Sequence, residues 1–207
     1  MAEVQDIFGK KVVGKAGPAS FYTLFGKTIM RSLPGKRTGP QSPQQVRNQE
    51  RFKAIRAFCS PFKDVVIPQI WNSLATTSSG YHLFMKTNSP AFDMDGILSD
   101  PMKIRLSMGK LPLPQGMKAH RTSEGSTTIA VQWDKDPSLG GLPARDQLMV
   151  ISSAGGKFSE MKPTGLTRAD LAGTFELPPM AEPASHVYLF FQSLDLRYYS
   201  ESMCCAL

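Results

Sequence analysis

The chain has few of the residues from which metal and catalytic centres are built. Its 207 residues include three histidines, His82, His120 and His186, and three cysteines, Cys59, Cys204 and Cys205. No histidine stands at metal-ligand spacing from a cysteine or carboxylate, so nothing in the pattern points to zinc. One lone and two adjacent cysteines cannot make a disulfide framework, which fits a reducing compartment. No window approaches 18 apolar residues, and no membrane-spanning helix is expected. The opening, MAEVQDIFGKKVVGK, has Glu3 and Asp6 and lacks an apolar run, so it does not read as a secretory signal. Asp93-Met94-Asp95-Gly96 starts like a calcium loop, but its twelfth position is Ile104 where a bidentate glutamate is required, and a surface turn is the expectation. The terminal Cys204-Cys205-Ala206-Leu207 fits a prenylation pattern without a neighbouring polybasic segment. Cys59, on the apolar face of an expected helix, reads as a small hydrophobe. These absences argue for a cytoplasmic protein with no catalytic, metal or cofactor site.

Acidic residues are scarce at one end. From Met1 to Lys63 there are twelve Lys or Arg against Glu3, Asp6 and Glu50, a balance of +9; the rest carries twelve basic against fourteen acidic, a balance of −2. The net charge of +7 and pI near 9.4 therefore describe one end of the molecule. A positive field of this kind favours acidic partners and says nothing of fold.

The first forty residues are rich in glycine and β-formers. Phe21-Tyr22-Thr23-Leu24-Phe25 and Thr28-Ile29-Met30 flank Gly26-Lys27, which predicts a hairpin. Ser42-Pro43-Gln44-Gln45 is a capping box with proline at the first helical position, so a helix should start at Pro43. Val46, Phe52, Ile55, Cys59 and Phe62 give it an apolar face, and Arg47, Arg51, Lys53 and Arg56 a cationic one. Pro61 and Pro68 break or kink the helical run, and Val65, Val66, Ile70, Trp71 and Leu74 predict a second helical apolar face, making a helical hairpin. Leu111-Pro112-Leu113-Pro114 reads as an extended linker. Beyond it lie β-prone runs at residues 127–133, 147–151, 173–177 and 186–191, separated by Gly-Gly and Pro-Pro punctuation. Such spacing predicts an immunoglobulin/fibronectin-like sandwich.

Gly26-Lys27-Thr28-Ile29-Met30-Arg31-Ser32 with Pro34, then Ser42-Pro43-Gln44-Gln45, Arg47, Arg51 and Phe52, resembles the opening of the DUF6266-type family of Bacteroidetes and their phages and mobile elements. Trp71 and Ser79-Gly80-Tyr81, with Phe84 and Asn88, are similar to a later segment found in phage and prophage proteins. The resemblance covers roughly residues 9–88 and implies a structural or binding role, with no catalytic residues to carry over.

The expected fold class is α+β. Residues 1–110 would form a basic β-hairpin and helical-hairpin module, and residues 111–207 the β-sandwich. The expected function is non-enzymatic: a structural or assembly protein, phage- or mobile-element-derived, in the cytoplasm or a virion. Its basic module would dock onto a protein partner or a second copy through Lys27, Arg31, Lys36, Arg37, Arg47, Arg51, Lys53 and Arg56. The alternative is a stand-alone protein binding DNA or RNA, in which Phe21, Tyr22 and Phe25 stack on bases. No membrane partner is expected.

Overall fold

The computed structural model describes residues 2–4, 13–24, 26–35, 39–136 and 142–207. The protein is α+β and divides into two compact units, Met1–Ser42 and Pro43–Leu207.

The first unit is an antiparallel sheet of β1 (Ala2–Val4), β2 (Gly14–Ala16), β3 (Ala19–Leu24) and β4 (Lys27–Ser32), in the order β1-β4-β3-β2. The expected hairpin joins β3 to β4. Gly26, at φ 79°, takes the left-handed conformation the reversal requires. The register pairs Leu24 with Lys27, Tyr22 with Ile29 and Ser20 with Arg31.

The second unit opens with α1 (Pro43–Cys59), which starts at the proline the sequence marked. A 3-10 turn, Ser60–Phe62, follows, then a π turn, Ile67–Trp71, running into α2 (Asn72–Leu74), and finally α3 (Gly80–Asn88). Ile55, Phe58, Cys59 and Phe62 are buried, as are Val66, Ile70 and Trp71. Val46 and Phe52 were expected on the apolar face, yet both are exposed, because α1 enters the core only from Ile55 onward.

Two sheets complete this unit. One holds β5 (Lys118–Arg121), β6 (Thr128–Gln132) and β10 (Ala172–Glu176), with β6 central. The other holds β7 (Gln147–Ala154), β8 (Lys157–Phe158), β9 (Lys162–Thr167), β11 (His186–Gln192) and β12 (Met203–Ala206). Their inner faces share a core of Ile129, Val131 and Phe175 against Leu148, Val150, Val187, Leu189 and Phe191. Three strands facing five across a shared core make a β-sandwich.

The five-stranded sheet is buried on its other face too. Met149, Ile151, Tyr188, Phe190 and Cys204 alternate with the residues just named and pack into a second core with Ile55, Phe58, Phe62, Trp71 and Phe84. Phe58 stacks on Phe84 at 5.7 Å, and Phe62 meets Phe158 edge-on at 5.1 Å. Burying each such side chain stabilises the fold by about 1.5–3 kcal/mol, so β7 and β11 are glued to layers on both sides.

The expected boundary at 110/111 therefore moves. The helices and the sandwich share one core, and the chain divides at Ser42/Pro43. The Leu111–Pro114 stretch is tied down: Leu111 N donates to Tyr199 O at 3.0 Å, and Leu113 packs into the sandwich core.

Candidate functional site

Six of the eight cations singled out in the sequence lie among the described residues. Lys36 and Arg37 lie outside the described residues. Lys27 and Arg31 share one face of β4 in the first unit, where the Arg31 guanidinium sits 5.8 Å from the centroid of the Tyr22 ring. Phe21 and Tyr22 are consecutive in β3, so their side chains leave opposite faces of the sheet and cannot make one stacking platform. Phe25 lies outside the described residues.

On α1 the four cations separate by role. Arg51 is turned toward the fold: its Nε donates to Asp93 O at 2.8 Å, and one terminal nitrogen donates to Ser89 O at 2.9 Å and Phe92 O at 3.2 Å. The planar guanidinium fork suits this collection of carbonyls, and Arg51 is a clamp on the 89–93 turn, not part of a docking surface. The turn lies close against α1 because Gly96, at φ 82°, faces Ala54 at a distance a Cβ could not tolerate. Arg47 pairs with Asp95 at 3.2 Å. Asp93 Oδ1 accepts the N–H groups of Asp95 and Ile97, which gives the calcium-like motif its expected turn. Among the described residues no group of three or more His, Cys, Asp or Glu is placed to hold a metal.

Lys53 and Arg56 remain, and they line a groove of about 640 Å³ along the outer side of α1. With them are Lys63, the rings of Phe52 and Tyr81, and the small or polar Gln49, Ala57 and Ser60; none of the lining residues is acidic. Glu50 reaches Lys53 only loosely, at 3.9 Å with both side chains largely in solvent. Phe52 is 50% exposed. Lys63 and Tyr81 were missed in the sequence, although residues 49, 52, 53, 56, 57, 60 and 63 recur at helical spacings of three and four. That period was the available signal. Phe52 satisfies the apolar spacing of the helix, but α1 enters the core only from Ile55 onward.

Other polar groups are engaged locally. Asp146 and Arg168, each 5% exposed, meet at 3.3 Å, and the guanidinium carbon lies 4.2 Å from the Phe191 ring centroid. Burial raises the Asp146 carboxyl above its ordinary value against the opposing pull of Arg168. Cys59 is fully buried and pushed up to about 12, and Cys204, buried in β12, to about 11, both by desolvation. Neither is placed to act as a nucleophile or an acceptor for modification. His186 opens β11 as expected, with Nδ1 2.9 Å from Ser185 Oγ.

No family model, curated protein or solved structure matches the chain. The motif residues around α3 have structural tasks. Ser79 caps α3 by accepting the N–H of His82 at 3.3 Å. Gly80 lies against the Trp71–Asn72 backbone where a Cβ would overlap it. Phe84 meets Trp71 edge-on at 5.1 Å, and Trp71 Nε1 donates to Leu106 O at 3.0 Å. No helix among the described residues is long and apolar enough to cross a membrane.

Proposed function

We propose that this protein is a non-enzymatic docking protein, with a structural or assembly role, that holds a negatively charged partner in the groove along α1. One observation carries the reading: Lys53, Arg56 and Lys63 line the same groove without an acidic neighbour in its wall. Cations arranged this way create a local positive potential that steers and retains an anion, weakening as salt rises. The motifs shared with the DUF6266-type family add a phage or mobile-element setting to the proposal.

The test is retention on a dextran sulfate matrix. Reversing two charges, Arg56→Glu with Lys63→Glu, is expected to shift elution to markedly lower salt while the thermal midpoint stays put. Elution unchanged by the double variant would refute the groove as the docking site.

A further inference from the structure

We infer that the occupant of the α1 groove is single-stranded nucleic acid, its bases stacking on Phe52 and its phosphates held by Lys53, Arg56 and Lys63; this rests on the anionic-partner reading above. Charge alone would suit any polyanion, and the aromatic rings narrow the choice. Half of the Phe52 surface is open to water in the midst of cations, and Tyr81 contributes a second ring to the same groove. Among the described residues, Phe52 belongs to neither buried core.

Proteins that bind single strands without reading sequence combine these two features, a cationic track for the backbone and aromatic faces on which bases stack. A duplex keeps its base faces inside the stack and offers the rings nothing. An acidic protein segment would satisfy the cations and leave Phe52 unused. From Lys53 to Lys63 the chain advances about 15 Å if taken at helical rise, room for a few nucleotides. Polar groups able to read base edges are sparse, with Gln49 and Ser60 in the wall, so little sequence preference is expected.

The experiment uses the full chain and a dye-labelled thymidine oligonucleotide of roughly 12 residues, within the site sizes of single-strand binders. Fluorescence anisotropy is read for it, for a uridine oligonucleotide and a duplex of equal length, and for labelled dextran sulfate. Both single strands are expected to bind more tightly than the duplex, with a log–log salt slope of about −2 for three phosphate contacts. Phe52→Ala should weaken oligonucleotide binding at least about fivefold and leave dextran sulfate binding and the thermal midpoint unchanged. Phe52→Trp should restore it. Oligonucleotide affinity indifferent to Phe52→Ala, or equal for the duplex, overturns the stacking inference. Binding of dextran sulfate with none of either oligonucleotide overturns it too and leaves the anionic-partner reading standing. Binding of neither probe removes both.

Discussion

Asn88 and Arg105 are joined as two strands of a ladder would be. The Asn88 side-chain nitrogen donates to Arg105 O at 3.0 Å, and its oxygen accepts Arg105 N–H at 2.7 Å, so one amide answers both backbone groups of a residue 17 positions away. The same nitrogen donates to Phe84 O at 3.0 Å, within α3. Asn88 is fully buried at the last position of that helix, and it fixes where the chain leaves the helical layer for the segment holding Ile104 and Leu106 in the core.

Asn88→Leu keeps the volume and removes both bonds to Arg105. Each buried backbone group left without a partner costs about 1–3 kcal/mol, and a loss of about 2–5 kcal/mol in chemical denaturation is expected. Asn88→Asp should be at least as damaging at neutral pH, since a carboxylate would face the carbonyls of Phe84 and Arg105. That variant should recover part of its stability on acidification, when a protonated carboxyl can donate again. An Asn88→Leu variant as stable as wild type would show that the amide bridge is dispensable.

Arg168 and Asp146 are both buried, and the fold has given up their hydration. Removing one partner leaves the other as an uncompensated charge in an apolar setting, which costs about 3–5 kcal/mol. Asp146→Ala and Arg168→Met are each expected to fall in that range. The pair Asp146→Leu with Arg168→Met should be far less destabilised than the sum of single effects, because an apolar replacement carries no desolvation penalty. Additive losses would show that the two residues act independently.

How far the fold could be read from the sequence depends on the kind of strand. Thr128-Ile129-Ala130-Val131-Gln132 alternates and belongs to the sheet covered on one face only. Leu148-Met149-Val150-Ile151 and Val187-Tyr188-Leu189-Phe190-Phe191 are unbroken apolar runs, and those strands are buried on both faces. The two patterns differ for this physical reason. Had they been distinguished, the helical layer over the sandwich and the absence of a boundary at 110 would have followed. Short edge strands such as β8 and β12 carry too few residues to show a period. For the site, the helical stripe was legible, but whether a cation on it turns outward, as Arg56 does, or inward, as Arg51 does, depends on carbonyls some forty residues away.

Asp170 offers a test by pH. Its carboxylate accepts the N–H of Thr167 at 2.6 Å and its hydroxyl at 2.8 Å, closing a capping box. These bonds favour the charged form and hold the carboxyl below the ordinary aspartate range. The unfolded chain then takes up a proton before the folded one as pH falls. The contribution of Asp170 is thus fully present above the ordinary aspartate range and is lost as pH drops through the depressed folded value. Asp170→Asn should be less stable than wild type at neutral pH, and the gap between the two denaturation midpoints should narrow in acid. A gap independent of pH would mean that the charge on Asp170 has no part in the cap.

Arg51 and Arg56 lie five residues apart on α1 and look alike in the sequence, yet the structure assigns them opposite behaviour. Arg51→Ala deprives the carbonyls of Ser89, Phe92 and Asp93 of their donor and removes the packing of its stem, so a loss of about 1–2 kcal/mol is expected. Binding of dextran sulfate should change little. Arg56 makes no ion pair or hydrogen bond among the described residues, and Arg56→Ala should stay within about 0.5 kcal/mol of wild type while weakening dextran sulfate binding. Thermal melts and anisotropy on both variants decide it. If Arg51→Ala abolishes binding without loss of stability, its guanidinium belongs to the contact surface, and the division of α1 into a clamping cation and a docking cation is wrong.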